Sequence, residues 1–340
     1  MTIEEISKIA QSCFQASPTI VLGSGASMPH GLPSMPDLAK FLKGFIVPEG
    51  DEQIAEWSKV LAALETGSHL EASLEGRNLN ADLLLKIIRG TWQCVNEKDA
   101  ALFLSSPITN QAFPLGQMLE RLFQSTNVAI HVVTTNYDRV VEYACNSAGL
   151  LFNTGFTPGY LQKWEATRGV QYARDGKPVR TVRIWKVHGS LDWFQTEDER
   201  VVGLPTFSLP GDPYVPLIVT PGLNKYEKAL QDPFRSTIGG ADAALRGASA
   251  FLCVGFGFRD QHIHPKIIER CREKNVPIVV LARALTDEAK TFLKQKAGKN
   301  FLGIESDGMG SRVYSQAFPD GHSIPDREIW SVSGFMGLVT

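Results

Sequence analysis

The chain has 340 residues, 43% of them apolar, enough to bury a sizeable core as one large domain or two modest ones. Its formal net charge is -2, so it lacks the overall basic footprint of nucleic-acid binders. No apolar run is long enough to cross a bilayer, the acidic start Met1-Thr2-Ile3-Glu4-Glu5 is not a signal peptide, and the five cysteines form no C-x-x-C pair. These features predict a cytoplasmic protein with reduced thiols and no zinc site.

In chain order, residues 3–14 read as a short helix with Ile6, Ile9 and Ala10 on one face. Thr19-Ile20-Val21-Leu22 reads as a buried strand ending at Gly23, and residues 37–45 resume a helical period. Residues 50–125 are predicted mostly helical. Ile54, Trp57, Leu61 and Leu64 share one face, Leu84, Ile87, Ile88 and Trp92 another, and Leu115, Met118, Leu119, Leu122 and Phe123 follow the amphipathic template. With no strand signal inside it, this stretch reads as a helical insertion between the first two strands.

Strand signals recur at 128–133, 182–187, 217–219, 250–254 and 277–281, separated by helical stretches at 138–148, 224–247, 262–274 and 286–297. Apolar strands alternating with helices predict a mostly parallel, Rossmann-like α/β sheet covered on both faces. The polar stretch 153–180 reads as an excursion near the ligand mouth, and 303–325, rich in Gly and Ser, as irregular. The expected organisation is a catalytic domain over 1–300 and a C-terminal tail over 301–340. Aromatic residues in the insertion (Trp57, Trp92, Phe103, Phe113, Phe123) and apolar ones in the tail (Ile329, Trp330, Val332, Phe335, Met336) suggest a homo-oligomer, the alternative being that they cover the sheet.

Four motifs follow strands. Gly23-Ser24-Gly25-Ala26-Ser27 lets backbone approach a phosphate, with a following helix to offer free N–H groups; Met28 stands where a third glycine would complete the dinucleotide fingerprint. An ordinary tight turn is the alternative. Thr134-Thr135-Asn136-Tyr137-Asp138 places an amide at a strand end, able to donate and accept, or caps a helix. Lys186-Val187-His188-Gly189-Ser190 offers a histidine as general base, or a structural one. In Gly255-Phe256-Gly257-Phe258-Arg259-Asp260, Gly255 and Gly257 again permit close approach, and Asp260 could bind a ribose or cap the next helix.

Together these motifs resemble the sirtuin superfamily over about residues 15–285, and its prokaryotic antiphage-defence branch in particular. The resemblance implies NAD+ as substrate. Gly23, Ser24, Gly25, Ala26 and Ser27 match the dinucleotide loop, with Thr135 beside it. Asn136 matches the asparagine that holds the nicotinamide ribose and a water, Asp138 the aspartate supporting that loop, and His188 the catalytic base. Gly255, Gly257 and Asp260 match the region at the adenosine half. Two departures argue against deacylation: the C-x-x-C pairs are missing, and Gly-Ser-Leu-Asp-Trp-Phe follows His188 in place of an acyl-lysine groove pattern.

The activity so implied is hydrolysis of NAD+ to ADP-ribose and nicotinamide. The rivals are an NAD-dependent deacylase or ADP-ribosyltransferase, and a non-catalytic NAD or ADP-ribose module. A destructive activity needs restraint, and the chain has no P-loop and no evident sensor domain. The resemblance therefore implies a separate activator such as a HerA-type ATPase, through which any nucleic-acid contact would be indirect.

Overall fold

The computed structural model describes residues 2–77, 79–105, 112–165, 172–220, 222 and 231–339. Helix α1 (Ile3–Gln15) starts at a capping box: the Thr2 hydroxyl accepts from the Glu5 N–H at 3.3 Å and the Glu5 carboxylate accepts from the Thr2 N–H at 2.7 Å. It buries Ile6, Ala10, Cys13 and Phe14, one stripe at helical spacing. Strand β1 (Thr19–Leu22) is buried throughout.

Helices α2 (Met35–Phe45), α3 (Gly50–Glu65), α4 (Leu70–Leu74), α5 (Ala81–Ser105) and α6 (Pro114–Leu122) then intervene before β2 (Ala129–Thr134). Much of this helical stretch carries its own core, built on Leu38, Leu42, Trp57, Val60, Leu74 and Ile87. Helix α3 is rotated from the expected face: Ile54 is exposed, whereas Gln53, Trp57 and Val60 are buried. The five apolar residues expected around α6 are all buried.

The chain continues through α7 (Val140–Ser147), β3 (Leu151–Asn153), β4 (Gln162–Lys163), β5 (Ala173–Arg174), β6 (Lys177–Pro178), β7 (Thr181–Lys186), β8 (Gly189–Gln195), β9 (Val201–Gly203) and β10 (Val215–Ile218). Then come α8 (Phe234–Gly247), β11 (Phe251–Val254), α9 (His264–Lys274), β12 (Ile278–Ala282), α10 (Asp287–Gln295), β13 (Phe301–Asp307), β14 (Gly310–Ser315), β15 (His322–Ile324) and α11 (Val332–Val339). The first part of the helix expected over 224–247 lies outside the described residues.

The main sheet has nine strands in the order β15-β14-β13-β12-β11-β1-β2-β7-β3. Every pairing from β13 to β3 is parallel, and β13–β14 and β14–β15 are antiparallel. This is the mostly parallel α/β sheet that the sequence predicts. From β1 the chain moves one way to β2 and β7 and later returns on the other side to β11, β12 and β13. Strand order therefore reverses between β1 and β11, the place where open α/β sheets hold ligands outside the carboxyl ends of their strands.

Two expectations are corrected. The strand expected at 217–219 is not in the main sheet: β10 pairs antiparallel with β8, in a separate sheet ordered β10-β8-β9-β4. A short apolar run fixes its own conformation but not its partner. The stretch 303–325 is not irregular, since β13, β14 and β15 extend the main sheet from residue 301 onward. Glycine and serine between Leu302, Ile304 and Val313, all fully buried, hide the period-two pattern.

The residues behind the expectation of self-association are used within the chain. Trp57, Trp92, Phe113, Phe123, Ile329 and Phe335 are buried, and Phe103, Trp330, Val332 and Met336 pack partly buried against the main core. Helix α11 lies on α1, with the Phe14 and Phe335 rings 6.4 Å apart and the Gln11 side-chain amide donating to the Leu338 carbonyl at 3.1 Å.

Candidate active site

Parallel register aligns four strand ends. Leu22 of β1 pairs with Val254 of β11 and Thr134 of β2, and Thr134 pairs with Lys186 of β7. All four sequence motifs therefore leave the same edge of the sheet side by side. The ladder continues one residue further at Thr135, whose N–H donates to the Leu22 carbonyl at 3.3 Å, and at Val187, whose N–H donates to the Thr134 carbonyl at 3.1 Å.

The two glycine loops meet backbone to backbone. A Cβ on Gly25 would lie 2.8 Å from the Gly255 Cα, and one on Gly255, whose φ is +57°, would lie 2.2 Å from the Ala26 nitrogen. Only glycine allows β1 and β11 to deliver their loops this close. At Gly257 a Cβ would touch only the Thr286 methyl at 3.5 Å, so packing within the protein does not require that glycine.

The helix expected directly after Gly23-Ser24-Gly25-Ala26-Ser27 is replaced by two 3-10 turns, Ser24–Ala26 and Met28–His30. The N–H groups of Gly25, Ala26 and Ser27 donate to the carbonyls of Gly255, Gly23 and Ser24. This loop supplies close backbone and the exposed Ser24, not the N-terminus of an α-helix.

Asn136 is held in one orientation. Its Nδ2 donates to the Gly23 carbonyl at 2.9 Å and to the Ser27 hydroxyl at 3.0 Å, and its N–H donates to the Thr134 hydroxyl at 3.1 Å. A carbonyl oxygen can only accept, so the amide cannot be flipped here. Both amide hydrogens are thereby committed, and Oδ1 is the atom that can accept from a ribose hydroxyl or a water. The sequence reading credited this amide with donors as well.

Ser27 passes the contact on to Asp138 through a side-chain hydrogen bond. Asp138 also caps the next turn, accepting from the Val140 N–H at 3.1 Å, so the capping alternative holds alongside its place in the site. Burial pushes its carboxyl up to about 6, with nearby Asp99 adding and the Lys186 charge opposing. The fully buried Lys186 ammonium donates to the Asp138 backbone carbonyl and to Glu142 at 2.8 Å. The sequence reading missed Lys186 and Glu142 as parts of the site. Their signals were a cation inside the apolar run 182–187 and a carboxylate among the apolar residues of α7.

His188 follows β7 and its side chain is 16% exposed. Its Nε2 lies 3.0 Å from the Asp260 carboxylate, close enough for an ion pair although off the line of a good hydrogen bond. Asp260, expected at the adenosine half, thus stands against the candidate base. Its other oxygen accepts from the His262 and Ile263 N–H groups at 2.9 and 3.0 Å, as the capping alternative anticipates. Burial opposes the Asp260 charge, but the imidazole and these N–H groups hold the carboxyl well below the usual range. A cleft of about 270 Å³ lies beyond this turn, lined by His264, Asp287, Glu288, Thr291, Phe292 and Lys296, and does not include Asn136 or His188.

Among the described residues, no group of three or more His, Cys, Asp or Glu side chains is placed to hold a metal ion. All five cysteines are buried and free, and burial raises each thiol above its ordinary range. No helix among the described residues is long and apolar enough to cross a membrane.

A family model described as the SIR2-like domain matches residues 130–300, half of the chain. Solved structures similar to this chain include a Sir2 homologue in complex with NAD, at 14% identity over 88% of this chain and 86% of that one, TM-score 0.46. A second, described by sirtuin substrate affinity, is 14% identical over 91% and 95%, TM-score 0.46. A third, described by the mechanism and regulation of Sir2 enzymes, is 13% identical over 84% and 87%, TM-score 0.44. No curated protein matches the chain.

Proposed function

The chain belongs to the SIR2-like domain family, and from that premise we propose that it hydrolyses NAD+ to ADP-ribose and nicotinamide. The observation that carries this reading is the meeting of Asn136 and His188 with the glycine loops at one edge of the sheet, beside the point where strand order reverses. Gly23, Ser24, Gly25, Ala26, Ser27, Thr135, Asp138, Gly255 and Gly257 form the surroundings of the dinucleotide.

The bond that breaks joins nicotinamide nitrogen to the ribose anomeric carbon, and its electron pair leaves with neutral nicotinamide. No proton donor is needed for that departure. Asn136 Oδ1 accepts from the ribose or from the attacking water and so fixes their relative position. Water oxygen bonds to the anomeric carbon, and His188 takes the released proton. The cost of a misplaced water is large, which fits an amide whose two donors are spent on holding it still.

The resemblance of the motif series to antiphage-defence sirtuins extends this reading to NAD+ depletion in the cytoplasm, restrained until a separate sensor such as a HerA-type ATPase releases it. Self-association is part of that restraint, and light scattering measures it. The test of the chemistry is chromatography of NAD+ incubated with the protein, alone and with its activator. Asn136→Ala and His188→Ala should each lower turnover about 10²-fold or more while circular dichroism stays unchanged. Intact NAD+ under every condition, or near-normal rates in both variants, overturns the reading; turnover that requires an acyl-lysine acceptor moves it to deacylation.

A further inference from the structure

We infer that Asp260 is a positioning residue that acts through His188, setting which ring nitrogen carries the proton. The inference rests on the NAD+-cleaving reading for its consequence in catalysis, but its geometry stands apart from it.

Strands β7 and β11 are separated by β2 and β1, a span of about 14 Å at the usual spacing of paired strands. The side chains that follow them nonetheless meet at 3.0 Å. The 255–263 segment is shaped to make that reach. Gly255 is pinned against Gly25 and Ala26 in the left-handed region. Phe258 also has a left-handed φ, +58°, rare and costly for an aromatic residue. Its buried ring is held there, 5.0 Å from Phe256 and stacked 4.6 Å from Phe292. Asp260 comes two residues later, its side chain 7% exposed, with one oxygen fixed by two backbone N–H groups and the other 3.0 Å from His188 Nε2. A surface cap needs none of this.

The neighbouring charges are committed elsewhere: Lys186 to Glu142, Asp192 to Arg139, and Arg259 to Glu288. Asp260 is thus the carboxylate that the imidazole meets. An ionised carboxylate can only accept, so it favours the proton on Nε2 and leaves Nδ1 with the lone pair that can take a proton from water or ribose. Asp260→Asn keeps an oxygen for the two backbone N–H groups and turns an NH2 toward Nε2. The proton should then move to Nδ1, the wrong atom for the base.

Nuclear magnetic resonance of the full chain labelled with 15N-histidine reads this directly, with His188→Gln assigning the signal. The neutral ring should carry its proton on Nε2 in the wild type and on Nδ1 in Asp260→Asn. With NAD+, Asp260→Asn should lower kcat about 10²-fold with little change in KM, and Asp260→Glu should recover part of the loss. Adding Asp260→Asn to His188→Ala should cost nothing further. An unchanged proton position in folded Asp260→Asn overturns the inference. If that variant does not fold, a bare Nε2 in the wild type overturns it and a protonated one supports it. If the wild type leaves NAD+ intact, the function reading fails while the proton position still decides the role of Asp260.

Discussion

Asp138 and Arg139 are neighbours in sequence and make their hydrogen bonds in two adjoining buried networks. Arg139 is saturated. Its guanidinium donates to Asp192 and Asp99 at 2.6 Å, to Asn96 at 3.3 Å and to the Thr206 carbonyl, and Tyr143 donates to Asp99 at 2.7 Å. Burial opposes the charge, but the two carboxylates hold it well above its ordinary range. This hub ties α5 of the insertion to α7 and β8. The network around Asp138 is less complete: its carboxyl is pushed toward neutrality, and one oxygen of Glu142 is buried without a partner. The saturated network fixes architecture. The unsaturated one keeps polar capacity at the edge where the candidate site lies, at a cost in stability.

Breaking the saturated side should have the largest effect. Arg139→Met strands Asp99 and Asp192 and should cost about 3–5 kcal/mol in denaturant unfolding, with activity per folded molecule little changed. A cost under about 1 kcal/mol would erase the contrast.

On the other side, the expected effect depends on pH. Burial raises the folded-state pKa of Asp138 from the ordinary carboxylate value of 3.8 to about 6, so the fold prefers the neutral carboxyl. That preference contributes fully below about pH 4 and is lost as pH rises through about 6. Asp138→Asn does not titrate. Relative to the variant, the wild type should therefore lose up to about 3 kcal/mol between pH 4 and 6 and change little above, measured by unfolding across pH 4–8.

The smallest effect concerns the support beneath the Asp260 loop. The Thr286 hydroxyl accepts from the Ala289 N–H at 3.1 Å and donates to the Gly257 carbonyl at 2.8 Å. Thr286→Ala should cost about 1 kcal/mol of thermal stability, as a lost helix cap does. A larger fall in NAD+ turnover than in stability would show that the loop's position matters beyond its anchoring.

Much of the architecture was legible because period and length are local properties: β1, α6, β11 and the insertion all follow from apolar spacing. Pairing is not local, so the strand expected at 217–219 falls in the smaller sheet as part of Val215–Ile218 and not in the main one. Beyond residue 301, glycine and serine hid an alternating strand pattern. Within the site, residue types at strand ends pointed to Asn136 and His188, and their common edge follows from parallel register. The meeting of His188 with Asp260 was not legible, because it depends on how a nine-residue segment with a left-handed Phe258 crosses two strands. Nor was the spending of both Asn136 donors, which needs the carbonyl of Gly23 in view.

The packing of α11 on α1 bears on how the chain is made. Phe14 leaves the ribosome 321 residues ahead of its partner Phe335. At about 5–20 residues per second, this part of α1 waits roughly 15–65 s for its cover. During that wait, the apolar stripe of α1 is a place for a chaperone to hold. Release of that stripe would report that α11 has docked.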